Sequence, residues 1–267
     1  MLMRSPVLVF VLLIFASFPV WAATNIIQRA GDKLRYDDCL SQAGLNPPMA
    51  FASATKWISE HGGSPAEHCA AVALVGMKRY DEGAARLDDL GHAPGMGTLR
   101  PQLFDQAGNA WMLAGDTGKA VASFQSALAL SASDPDLYAD LARAQAMDDD
   151  WPSVESDLNA ALAIQPRRPD LLVLRASARD AQNRFADARS DAESALQMAP
   201  KNPDALVERG SIERDTGDMK AARADFLAAM ALNPSAEIRD TAQRNLAALD
   251  AAVKSPPAPV NSLIKKK

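Results

Sequence analysis

A fixed period of 34 residues constrains this chain more than any other feature. Alanines stand at Ala127, Ala161, Ala195 and Ala229, each 34 residues after the one before. The same step links Phe104, Tyr138, Leu172 and Leu206, and again the small residues Gly108, Ala142, Ala176 and Gly210. Ala120, Val154, Ala188 and Ala222 form a further series, and Pro166, Pro200 and Pro234 close successive units. A period of this length marks a supersecondary unit that buries its apolar face only by stacking on its neighbours. A helical solenoid is the fold it predicts.

Each unit reads as two helices. Gln102–Ala114 precedes Lys119–Leu130, and Asp136–Met147 precedes Pro152–Ile164. Asp170–Ala181 with Ala186–Met198 forms a third pair, and Asp204–Asp215 with Lys220–Leu232 a fourth. Gly115-Asp116-Thr117-Gly118, Asp148-Asp149-Asp150, Asn183 and Gly217-Asp218 punctuate the pairs with helix-stopping residues. Pro-Asp recurs at Pro135, Pro169 and Pro203. Proline suits the first helical position, and the aspartate favours the positive end of the helix dipole.

These series resemble the tetratricopeptide repeat. The resemblance implies an all-α, right-handed superhelical solenoid of antiparallel helix pairs, working as a binding scaffold. Four regular repeats occupy residues 100–234. In the family, Gly or Ala at the matched positions lets the two helices approach closely while large residues fill the holes. Phe104, Trp111, Phe124, Tyr138, Trp151, Leu158, Phe185 and Phe226 are therefore expected in the core. Gln145, Arg179 and Glu213 take the place of Trp111 in later units, which predicts a looser or more polar contact there.

Residues 24–99 read as divergent helix pairs, with Cys39 and Cys69 in the first helix of each. Residues 235–253 form one amphipathic helix, through Ile238, Ala242, Leu246 and Leu249, that would cap the last repeat. The tail, 254–267, carries three prolines and ends in three lysines, a composition read as disordered.

Residues 1–22 have the pattern of a secretory signal: Arg4, an uncharged apolar run from Val7 to Phe18, and small residues around a cleavage point after Ala22. A periplasmic protein with no stable membrane anchor after cleavage is expected. Secretion, or retention at the inner membrane by an uncleaved signal, is the alternative. In an oxidising compartment two cysteines favour a Cys39–Cys69 disulfide; free thiols, or a metal site using His68, are the other readings. Losing Arg4 takes the formal net charge from −5 to −6, and a modestly acidic chain without a basic stripe is not built for nucleic acid.

No catalytic, cofactor or metal motif stands out. His61, His68 and His92 lack ligand spacing, and Asp148-Asp149-Asp150 lacks the rest of a calcium loop. The chain reads as a non-enzymatic scaffold for a protein or extended peptide. A structural subunit of an envelope complex, engaged through its convex face or ends, is the alternative. First helices line the concave groove in the resembled family, and matched positions place there Asp105, Asn109, Met112, Arg143, Ser177, Asp180, Ser211 and Arg214. Ala139, Ala146, Val173 and Val207 fall at the same repeat positions. The family's best-known mode clamps a terminal carboxylate with lysine, asparagine and arginine, and here only Asn109 matches that set. The groove is expected to be mixed and nearly neutral, with Arg143 and Arg214 anchoring an acidic group.

Overall fold

The computed structural model describes residues 20–254, with side chains from 31 to 251. The expected signal lies outside the described residues apart from the backbone at 20–22, and so does the tail beyond Lys254. Among the described residues there are thirteen α-helices and no strand. The first three are α1 (Val20–Leu45), α2 (Pro47–Ser59) and α3 (Gly63–Gly76). Then come α4 (Tyr80–His92), α5 (Arg100–Ala114), α6 (Thr117–Leu130), α7 (Pro135–Ala146) and α8 (Trp151–Ile164). The last are α9 (Pro169–Ala181), α10 (Phe185–Met198), α11 (Pro203–Asp215), α12 (Met219–Ala231) and α13 (Ala236–Lys254). No described helix is long and apolar enough to cross a membrane.

The chain divides into two compact units between Met77 and Lys78. In the first, α1 packs on α2 and α3, and Cys39 is bonded to Cys69 with their Cα atoms 6.1 Å apart. The bridge sits among buried Ala54 and Ala70. It closes a loop of 30 residues, which the chain-entropy model values at roughly 3–4 kcal/mol. Elsewhere in this unit Arg35 pairs with Glu60 and lies over the Trp57 ring.

In the second unit the pairs follow the sequence period. Extensive contacts join α5 to α6, α7 to α8, α9 to α10 and α11 to α12, and α4 packs on α5. Helix starts explain the register. Asp116, Asp150 and Asp218 accept from the backbone N–H three residues on, each capping the second helix of a pair. Helix ends repeat too: Gly115, Asp149, Asn183 and Gly217 all have positive φ, between 58° and 91°. Glycine adopts that left-handed turn freely, and Asp and Asn tolerate it better than other residues. The Asp148–Asp150 run is thus a turn, with Asp148 accepting from the Thr117 hydroxyl at 2.7 and 2.8 Å.

Close packing within each pair turns on one complementary contact. A methyl added at Gly108 would stand 2.7 Å from the Phe124 ring, and one at Gly210 would stand 2.8 Å from Phe226. In the unit between 135 and 164 the same two places hold Ala142 and Leu158, both buried; in the next, Ala176 meets Ala192 with Ile212 and Phe185 filling the space. The small residue and the large one trade size from pair to pair. Phe104, Trp111, Phe124, Leu158 and Phe226 are buried as expected, whereas Tyr138, Trp151 and Phe185 are half-buried.

At the repeat position of Trp111 the later units are polar, and Gln145 Oε1 and Glu213 Oε2 are buried there without a hydrogen-bond partner. The Trp111 indole donates to Asp88 at 2.6 Å, whereas Arg179 bridges Glu155 and buried Asp191 at 2.9 and 2.7 Å. Arg175 grips Asp191 with two bonds, and Arg209 grips Asp225 in the same way one period later. Helix α13 packs on α11 and α12, burying Ala242 and Leu249.

Gly210→Ala is expected to lower the unfolding midpoint, by overpacking worth about 1–3 kcal/mol, in a denaturant titration. An unchanged midpoint would show that the Phe226 ring moves aside at no cost.

Candidate functional site: the first-helix face

Most first helices touch the next one along, α5 meeting α7, α9 meeting α11 and α11 meeting α13, while α7 and α9 stand further apart. No contact of that extent joins the second helices α6, α8, α10 and α12. The stack of this unit therefore curves toward its first helices, and their outward residues line the inner face.

The expected groove residues divide when placed on this face. Asn109, Arg143 and Ser177 are exposed, and Asp105, Met112, Asp180, Ser211 and Arg214 are half-buried. Ala139 and Val207, assigned to the groove by their repeat position, are instead buried in the core. That row of the helix rotates inward where it meets the neighbouring first helix.

Beneath the face lies a cavity of about 140 Å³ lined by Ala142, Arg143, Ala146, Trp151, Val154, Leu158, Leu174 and Ser177. It opens between α7, α8 and α9, where small residues on two first helices leave room above Leu158. Its walls are mostly aliphatic, with Arg143 and Ser177 at the polar side, a lining that fits an apolar side chain.

Charge on the face departs from the expected near-neutral mixture. Arg143 is paired to Asp140 at 2.6 Å on its own helix. Arg214 donates to both carboxylate oxygens of Asp215, at 2.7 and 3.0 Å, and to the Asn245 side chain of α13. Asn109, the one residue matching the carboxylate clamp, donates to the Asp105 carbonyl and carboxylate at 3.0 Å. Arg214, held by Asp215 and Asn245, is a poor anchor for a further anion, whereas exposed Arg143 spends one of its five N–H donors on Asp140.

Carboxylates, by contrast, are left over. Burial, with the like charges of Asp140 and Asp134, pushes the Asp105 carboxyl up to about 6. Burial also raises Asp140. On α9 and α11, burial and Asp215 push Asp180 up to about 6. Burial, then Asp180 and Asp215, push Glu208 up to about 8. Asp180 Oδ1 and Glu208 Oε1 are shut away from water with no hydrogen-bond partner. Among the described residues no group of three or more His, Cys, Asp or Glu is placed to hold a metal ion.

Sequence reasoning missed Glu208 and Asp140. They share one repeat position with Gln106 and Leu174, one residue beyond the row assigned to the groove. The sequence does carry a signal, since that row alternates polar, acidic, aliphatic and acidic residues and so does not behave as core.

The raised Glu208 value has a consequence for stability. Below pH 4.5 the carboxyl is protonated in both folded and unfolded chains. Between about 4.5 and 8 the unfolded chain gives up the proton while the native state holds it, so stability falls as pH rises through that window. Asp180 adds to the fall between 3.8 and about 6. Glu208→Gln is expected to be more stable than the parent chain at pH 9, with the gap closing toward pH 4.5 in thermal melts. Superimposable pH profiles for the two chains would contradict the burial of this carboxyl.

Residues 203–235 match the family model of the tetratricopeptide repeat. No curated protein sequence matches the chain. Among solved structures, the chain is similar to MamA 41-end from Desulfovibrio magneticus RS-1, at 18% identity and a TM-score of 0.55, over 64% of this chain and 94% of that one. Two further MamA crystal structures match at 16% identity. One has a TM-score of 0.53, over 61% of this chain and 94% of that one. The other has a TM-score of 0.52, over 71% and 93%. At such identities the likeness is one of fold. Residues 203–235 are thus a tetratricopeptide repeat, and the 34-residue period carries the same stacked helix-pair fold through the other regular units.

Proposed function

We propose that the protein is a non-catalytic interaction scaffold of the periplasm, holding an extended segment of a protein partner along the first-helix face. The observation that carries this reading is the cavity of about 140 Å³ opening on that face between α7, α8 and α9. Small residues at Ala146 and Ser177 keep it open, with polar groups spaced along the neighbouring helices. Such a surface binds by a seated anchor side chain and many weaker contacts. The signal-like residues 1–22 support export, and the Cys39–Cys69 bridge is of the kind retained in oxidising compartments.

One observation favours a second reading, in which the protein is a fixed subunit of an envelope complex. Leu130, Ile164 and Met198 are exposed, 34 residues apart, at the ends of α6, α8 and α10. They form an apolar row along one edge of the stack, away from the first-helix face.

Crosslinking capture from the fractionated native envelope separates the two. Ala146→Phe combined with Ser177→Phe fills the cavity and is expected to abolish capture of the partner, with helical circular dichroism unchanged. Capture retained by that variant and lost with Leu130→Asp and Ile164→Asp would transfer the function to the edge. Recovery of the protein in the cytoplasmic fraction alone would contradict export.

A further inference from the structure

The interaction reading leaves the chemistry of the partner open, and the region around α9 and α11 narrows it. Asp180 stands in the last turn of α9, Glu208 in the middle of α11 and Asp215 at its end. Among the described residues, the cation coupled to all three carboxylates is Arg214, and its guanidinium is held by Asp215 and by Asn245 of α13. Two acceptors on adjacent helices, Asp180 Oδ1 and Glu208 Oε1, therefore lack a donor. Both residues are half-buried, with Asp180 Oδ1 and Glu208 Oε1 enclosed and the rest of each side chain keeping some surface on the face.

A buried acceptor without a donor costs free energy, and two neighbouring carboxylates cost more when both ionise. A ligand that brings N–H donors and a positive charge removes both penalties at once. A lysine or arginine side chain supplies N–H donors and a positive charge together. We propose that Asp180 and Glu208 form a cation-receiving subsite, which takes a lysine or arginine side chain of the bound partner segment. Half-buried Asp105 extends the same acidic character to α5, so the segment that fits is a basic one. This deepens the scaffold reading and rests on it.

Proton linkage follows. Groups facing Glu208 are Asp180 from α9, Asp215 and Arg214 from α11, and Asn245 of α13 through Arg214. Glu208 holds its proton to about pH 8 without ligand, so a bound cation expels it. Binding then tightens as pH rises from 6 to 9, a range in which a lysine side chain, with a pKa of about 10.4, stays charged.

The test is fluorescence anisotropy of the full chain with fluorescein-labelled pentalysine at low salt, against labelled pentaglutamate. Pentalysine is expected to bind and pentaglutamate not to. Affinity should fall roughly tenfold or more in Asp180→Asn with Glu208→Gln, and rise with pH only in the parent chain. Glu193→Gln, an exposed acid on α10, should leave affinity unchanged. Equal losses in Glu193→Gln would mean diffuse charge attraction and overturn the subsite, as would parent-like binding by the double variant. Binding that emerges only after Lys265→Ala, Lys266→Ala and Lys267→Ala would show that the chain's own lysines fill the subsite, and would overturn the partner assignment. If the cavity-filled variant loses capture while Asp180→Asn with Glu208→Gln retains it, the scaffold reading stands and the subsite falls.

Discussion

Everything in the second unit depends on how closely the two helices of a pair can approach. Gly108 against Phe124 and Gly210 against Phe226 leave no space for another methyl group. Where the large partner shrinks to Leu158 or Ala192, the small one grows to Ala142 or Ala176. Interiors packed to crystal-like density tolerate neither voids nor excess volume, so each pair balances the trade locally. A stack whose units touch only their neighbours can repeat this solution at different sizes without disturbing the rest.

Polar groups enter the stack in two different ways. Between the helices of a pair, Arg175 with Asp191 and Arg209 with Asp225 are bidentate and satisfied. Such pairs fix orientation more than they stabilise, because desolvation offsets most of their attraction. On the first-helix face the balance fails. Arginines there are tied to Asp140 and Asp215, and Asp180 and Glu208 remain without donors. Among the described residues the buried acceptors without a donor are Asp180 Oδ1 and Glu208 Oε1 on the inner face, and Gln145 Oε1 and Glu213 Oε2 at the Trp111 repeat position inside the stack.

Much of the fold was legible in the sequence. The 34-residue spacing located all four regular pairs, and Gly115, Asn183 and Gly217 marked the turns that adopt positive φ. Local turn chemistry and the long period agree, so the elements needed no tertiary information. The face was legible in outline only. The resemblance assigned the first helices to it, but Ala139 and Val207 rotate into the core. Its charge was misread because a formal count gives Arg143 and Arg214 the same weight as free cations. Only side-chain pairing reveals that Arg214 is held by Asp215 and Asn245 and that Arg143 is tied to Asp140, and only burial separates Glu208 from an ordinary surface glutamate.

The central claim is that the inner face keeps a buried, donorless carboxyl ready for a cation. A carbon-13 titration of the Glu208 carboxyl by nuclear magnetic resonance tests it most directly. The account predicts a midpoint of about 8, moving downward when pentalysine is added. A midpoint near the ordinary 4.5, unmoved by pentalysine, would contradict it.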